Sequence, residues 1–360
     1  MENLAHKTPQ SKNVSLPVLE REIEFVSEGT ICRGLFVRPD TKKPAPLIIL
    51  VHGLGGVYEM RLDAYARFFA AAGYASLTFD YRYFGRSDGN HRHWLVREFQ
   101  QQDIDNGIAF GKTLEGVDNT RIVLWGTSLG GGNMIDVSHR RKDIKATIIQ
   151  GPFTDGIASA MALPFPSLIG VTLFAIADAV SRLLGLSPVL VILAGTFGTP
   201  ALMTSPDVVQ SVLKLFPQGT LFSAQLTRLF NLFAKKKIKL GDNISTSDKP
   251  EKYPTAKLTG SMILPSGTVL INGVSAIFGM KIIFWRPGKK LKNLNAPMLI
   301  CVCETDSVAP AKQTLKHASV APLCETKVYP YGHFDIYTDE PFDLITQDQL
   351  EFLGRVVPLI

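Results

Sequence analysis

The stretch Trp125-Gly126-Thr127-Ser128-Leu129-Gly130-Gly131-Gly132 carries the strongest chemical signal in this chain. It follows a short apolar run, Arg121 to Trp125, and precedes a helical pattern, Leu129 to Arg140. A serine between strand and helix, with glycine two residues to either side, sits in a backbone turn that lifts its hydroxyl above a sheet edge. Gly126 and Gly130 remove the side chains that would collide there. The helix starting behind Ser128 points amide groups and a positive dipole end at any oxyanion forming on an attacked carbonyl.

An alcohol is a weak nucleophile until a base takes its proton, and the base needs a third group to hold its tautomer. His333 lies in Tyr331-Gly332-His333-Phe334-Asp335, just past the apolar run ending at Tyr329. The other six histidines lie in a polar arm (His6), after the first buried strand (His52), in a loop (His91, His93) or near helix ends (His139, His317). Asp306, just past Pro297 to Val302, is the expected acid, since serine, acid, histidine is the chain order of such sites on open parallel sheets. Glu304 and Asp335 are its rivals; Asp335 lies awkwardly close to His333 in sequence. The turn His52-Gly53-Leu54-Gly55-Gly56 lets backbone approach a substrate, and the amides of Leu54 and Leu129 are the expected oxyanion donors. His52 reads as structural, and Asp80 and Arg82 as braces for the loop beneath the site.

Those positions require a scaffold of buried strands and amphipathic helices. Glu22 to Val26 and Ile31 to Val37 flank Glu28-Gly29 as a hairpin. Leu47 to Val51, Tyr74 to Phe79, Arg121 to Trp125 and Lys145 to Ile149 read as strands, with helices at Arg61 to Ala72, Arg97 to Leu114 and Leu129 to Arg140 between them. The rhythm stops at Phe153 and resumes near Pro297, with strands to Val302 and at Glu325 to Tyr329, and helices at Ala309 to His317 and Asp343 to Val357. The expected fold class is α/β: a doubly wound, mostly parallel sheet with a long, mainly helical lid insertion. The expected division is a disordered arm at 1–19, a core of 20–152 and 294–360, and a lid at 153–293.

Hydrophobic residues at 46% and charged residues at 19% exclude a disordered chain. Four scattered cysteines exclude a disulfide scaffold, and Cys301 and Cys303 read as core packing on one strand face. A polar start without an apolar leader predicts a cytoplasmic protein. The net charge of +6 is uneven: eleven Lys and one Arg oppose Asp242, Asp248 and Glu251 between Lys235 and Lys292. The run Lys235-Lys236-Lys237-Ile238-Lys239 lacks the interleaved aromatics of a nucleic-acid surface and reads as solvated loop. From Met161 to Met203 the only charges are Asp178 and Arg182. Leu183 to Met203 is long enough to span a bilayer, but Pro188, Pro200 and three glycines favour a buried lid, with membrane-surface contact as the alternative.

With these residues in view, the chain resembles the α/β-hydrolase superfamily, and within it microbial hydrolases of the serine aminopeptidase and X-Pro dipeptidyl-peptidase-like groups. The likeness rests on His52-Gly53-Leu54-Gly55-Gly56, Leu77 to Gly89, Gly126 to Gly131, and Tyr329 to Tyr337. It implies Ser128, Asp306 and His333 as triad, the amides of Leu54 and Leu129 as oxyanion hole, and neither cofactor nor metal. Tyr83 stands where relatives commonly have glycine, Cys303 replaces a glycine before the acid, and Leu129 replaces the tyrosine of X-Pro peptidases. That last departure weighs against peptide cleavage. The expected partner is a small-molecule acyl substrate, not nucleic acid; a peptidase or amidase, and a membrane-attached non-catalytic binder, are the other readings.

Overall fold

The computed structural model describes residues 15–195, 198–204, 208, 261–264 and 266–360. The basic run at 235–239 and most of the arm lie outside the described residues. Strand β1 (Val18–Ser27) and β2 (Thr30–Pro39) form the hairpin, in register from Val18↔Pro39 to Ser27↔Thr30. Glu28 and Gly29 both take positive φ, 48° and 77°, as the tightest hairpin turn demands. The sheet therefore begins at Val18, inside the segment assigned to the arm, because β2 continues far enough to pair it. Leu16 is also docked, its amide donating to the Ala71 carbonyl at 2.9 Å.

Six further strands complete an eight-stranded sheet: β3 (Ala45–Val51), β4 (Ala75–Phe79), β5 (Val117–Thr127), β6 (Ile144–Gln150), β12 (Met298–Cys303) and β13 (Cys324–Tyr329), in the order β1-β2-β4-β3-β5-β6-β12-β13. From β4 to β13 all pairings are parallel; the β1–β2 hairpin is antiparallel. Alternate residues serve opposite faces, as the strand pleat requires. Leu47, Ile49, Val51 and Leu124 pack with helices α2 (Arg97–Gly111) and α3 (Leu129–Arg140). Ile48, Leu50, Trp125, Cys301 and Cys303 pack with α1 (Leu62–Ala71) and α8 (Asp339–Val356). All four cysteines are free. Helix α8 starts a turn earlier than the spacing predicts: Pro341 falls in its first turn, where a missing N–H costs no helical bond.

Between β6 and β12 the described chain adds no strand to this sheet. It forms α4 (Gly156–Ala162), α5 (Phe165–Leu183) and α6 (Ile277–Lys281), two 3₁₀ segments, and two small sheets that the apolar sequence concealed: β8 (Ala201–Met203), β7 (Leu190–Ala194) and β11 (Gly273–Ser275) in one, β9 (Ser261–Ile263) and β10 (Val269–Ile271) in the other. Leu183 to Met203 does not form one bilayer-length helix. Gly185 turns the chain at φ 69°, and the residues beyond it pair as strands. Among the described residues, the helix long and apolar enough to cross a membrane by length and composition is Phe165–Leu183. Helix α7 (Ala311–Ala318) lies on the α3 side of the main sheet.

Candidate active site

Strand β5 ends at Thr127 and α3 starts at Leu129, so Ser128 occupies the turn alone, at φ 53° and ψ −122°. That left-handed φ strains a side-chain-bearing residue and is retained only where its surroundings hold it. Here the Ser128 amide donates to the Gln150 carbonyl at 3.0 Å, and its carbonyl accepts from the amides of Phe153 (2.9 Å) and Gly132 (3.3 Å). The two flanking glycines are required by contact. A Cβ on Gly126 would lie 2.6 Å from the Gly130 carbonyl oxygen, and one on Gly130 would lie 2.5 Å from that of His52.

Three distant loops converge at this turn. Ser128 Oγ lies 3.0 Å from His333 Nε2, and His333 Nδ1 lies 2.7 Å from Asp306 Oδ2. The imidazole is 3% and the carboxylate 1% exposed, so water competes little for either bond. The other carboxylate oxygen, Oδ1, accepts from the amides of Val308 (2.8 Å) and Ala309 (2.6 Å), which fixes the carboxyl plane. The two rivals are placed differently: Glu304 is exposed, and Asp335 Oδ2 accepts from the Gly332 amide at 2.8 Å, closing the histidine's own loop. With Nδ1 protonated toward Asp306, Nε2 is free to accept the serine proton, the arrangement that general-base activation of a hydroxyl requires.

Leu54 and Leu129 line the cavity beside Ser128. Among the described residues neither amide donates to an acceptor, which leaves both available to an oxygen bound there. His52 is buried, and desolvation pushes it down to about 4. Its Nδ1 lies 3.0 Å from the Gly53 carbonyl and its ring meets Tyr81 edge-on, so it is a neutral packing residue. Asp80 accepts from the amides of Tyr58 (2.7 Å) and Arg86 (2.8 Å), whereas Arg82 pairs with the buried Asp103 of α2 at 2.7 Å. The two expected braces thus act on separate partners.

Sequence reasoning missed what lies under and beside the site. Beneath it runs a buried polar chain: Trp125 Nε1 donates to Gln349 (3.0 Å), Gln349 to Gln150 (3.0 Å), Gln150 to Tyr65 (3.1 Å), and Tyr65 to the Ile336 carbonyl (2.7 Å). Thr127 and Tyr337 hydroxyls add a contact of 2.5 Å. These bonds tie the histidine loop to the serine strand. Beside the site, a cavity of about 290 Å³ is lined by Leu54, Phe153, Val171, Met203, Phe278 and Ile282 among others, with no charged side chain. A smaller one of about 70 Å³ opens on the His333 side, against Met60, Phe334 and Tyr337. The signal for the larger cavity was the nearly uncharged run from Met161 to Met203, which gave composition without register. Among the described residues no cluster of His, Cys, Asp or Glu could hold a metal ion.

Comparison with known proteins fits this geometry. A family profile described as serine aminopeptidase, S33 matches residues 42–210. The quorum-quenching protein AidA of Acinetobacter baumannii is 37% identical over 345 residues, spanning 96% of this chain and 98% of the relative. The thiohydrolase apmlB of Arthrinium phaeospermum is 36% identical over 31% of this chain and 36% of its own. Among solved structures, DcsB in complex with its substrate analogue superposes with a TM-score of 0.69 at 20% identity, covering 94% of this chain and all of that one. The α/β hydrolase GrgF of Penicillium sp. sh18 superposes with 0.66 at 20% identity, over 96% of this chain and all of that one.

Proposed function

Taking as premise that the chain belongs to the α/β-hydrolase superfamily, in the serine aminopeptidase S33 family, we propose that it is a serine hydrolase cleaving esters or thioesters of apolar acyl groups. The observation that carries this reading is the 3.0 Å contact between Ser128 Oγ and His333 Nε2 at the mouth of an uncharged cavity. Ser128 attacks the acyl carbonyl while His333 takes its proton, and Asp306 steadies the imidazolium. The amides of Leu54 and Leu129 hold the oxyanion, and each such donor typically contributes about 10²–10³ in rate. His333 returns the proton to the departing oxygen or sulfur; a water, deprotonated by the same imidazole, then frees the acyl group and restores Ser128.

The leaving group is protonated by His333, so the smaller cavity beside that ring takes it and the larger one takes the acyl chain. A volume of about 290 Å³ is close to the lower end of small-ligand pockets, about 300–1,000 Å³, and suits a medium aliphatic chain or an aromatic ring. The described parts of 153–293 serve as a lid carrying most of that cavity's lining. A peptide with a free amino terminus would need a carboxylate in the pocket, and neither cavity offers one; peptidase or amidase activity is therefore the lesser reading. Thiohydrolase relatives favour thioesters alongside esters. The free cysteines support a cytoplasmic setting.

A fluorophosphonate probe should label the wild-type protein and not Ser128→Ala, whose turnover of p-nitrophenyl esters should fall by about 10⁴-fold or more. Equal labelling of the two proteins would end the proposal. Turnover of aminoacyl arylamides above that of the esters would replace it with the peptidase reading.

A further inference from the structure

Helix α5 has two apolar faces, and only one belongs to the cavity. Ser167, Val171 and Ala175 face inward, and the buried Asp178 locks the helix in place. Its carboxylate accepts from Arg182 (3.0 Å), the Val189 amide (3.0 Å) and the Ile277 amide (2.9 Å). On the opposite side Phe165, Ile169, Leu173, Ile176, Val180 and Leu183 recur at steps of three and four residues and are 46–87% exposed. They form a stripe about 27 Å long at helical rise. Met161 (81% exposed) and Phe284 (82%) are further exposed apolar side chains of the same segment. A soluble protein rarely leaves so large an apolar patch without a use.

The charges of the segment that carries the stripe select its occupant. Within the described parts of 153–293 the carboxylates are Asp155 and Asp178, both buried and paired with Arg286 and Arg182. The exposed charges are cations, Lys281 at the end of the neighbouring α6 together with Lys289 and Lys292. A second copy of this chain would bring the same described segment, which offers exposed lysines and no exposed carboxylate to pair with them. Spanning a bilayer would tear Asp178 from its partners. An anionic bilayer surface satisfies both features, apolar side chains entering the acyl boundary and lysines meeting the headgroups. We propose that α5 docks this protein in-plane on anionic lipid membranes. The proposal is independent of the hydrolase reading, since it concerns the face of α5 turned away from Ser128.

The test is flotation with vesicles of phosphatidylglycerol and phosphatidylcholine. The wild-type protein should float with them, several-fold less so with phosphatidylcholine alone, and less as salt is raised. A Leu173→Asp, Ile176→Asp double variant should bind at least tenfold more weakly while keeping the wild-type thermal midpoint. A solvent-sensitive fluorophore at L173C, in a Cys324→Ser background, should shift to the blue only when vesicles are added. No flotation, or flotation indifferent to the double variant, overturns the proposal. So does a fluorophore already shielded without lipid, which in a sedimenting dimer would assign the stripe to a second copy and in a monomer to this chain's own residues.

Discussion

Two walls meet at Ser128, and they are made of different interactions. On the main-sheet side lie directional contacts: the bonds from Ser128 to His333 and on to Asp306, the amides bracing Asp306, and the buried chain from Trp125 to Tyr65. On the side of α5 and α6 lie Val171, Phe278 and Ile282, which meet the cavity through non-directional packing, with the bonds of Asp178 anchoring the helices behind them. Hydrogen-bonded groups fix atoms to a fraction of an ångström, and displacing one forfeits its whole contribution. Apolar packing fixes volume, and a change of one or two methylenes is absorbed at modest cost. The first wall should therefore govern how fast any substrate reacts, and the second which substrate is preferred.

The contrast can be broken from the directional side first. Asp306→Asn should leave the fold intact while reversing the preferred tautomer of His333, so that kcat falls by about 10³–10⁴ for every acyl chain length alike. A loss confined to long or to short chains would show that Asp306 shapes the pocket instead. The directional side should also carry a pH dependence. Burial raises Asp80 to about 7, above its unfolded value, so the folded state holds that proton more tightly. Its stabilising contribution is complete below about pH 4 and disappears as pH rises through about 7, a difference on the order of 4 kcal/mol. Thermal or urea unfolding from pH 5 to 8 should show this decline in the wild type and a flatter profile in Asp80→Asn. The same slope in both would assign it to another group. The smallest effect belongs to the packed wall. Val171→Phe should fill the cavity and move the preferred acyl chain to a shorter one, with about a tenfold change in the ratio of kcat/KM values for long and short p-nitrophenyl esters. A uniform loss across the series would erase the distinction between the walls.

The directional wall was the more legible of the two in the sequence. Strand-then-helix context marks Ser128, and loops after buried strands mark Asp306 and His333, because a parallel sheet brings the carboxyl ends of its strands to one edge. The buried chain below was not legible. Gln150, Gln349, Tyr65 and Tyr337 carry no local pattern, and they become partners only when α1 and α8 pack against the same sheet face. The packed wall was legible as composition alone. A run such as Leu190–Ala194 is equally apolar as helix or strand, and its pairing with Gly273–Ser275 depends on residues far along the chain. Length arbitrates poorly between them when turn glycines are also present.

Phe153 stacks on Trp285 and the Gly156 amide donates to the Trp285 carbonyl at 2.9 Å, so the long excursion between β6 and β12 departs and returns at adjacent points. Descendants of such a gene can lengthen, shorten or trade that excursion whole without disturbing the strands that carry the reacting groups. Diversification of chemical appetite is thereby uncoupled from preservation of the reaction itself, and two neighbouring crossover points would suffice for inheritance to exchange one diet for another.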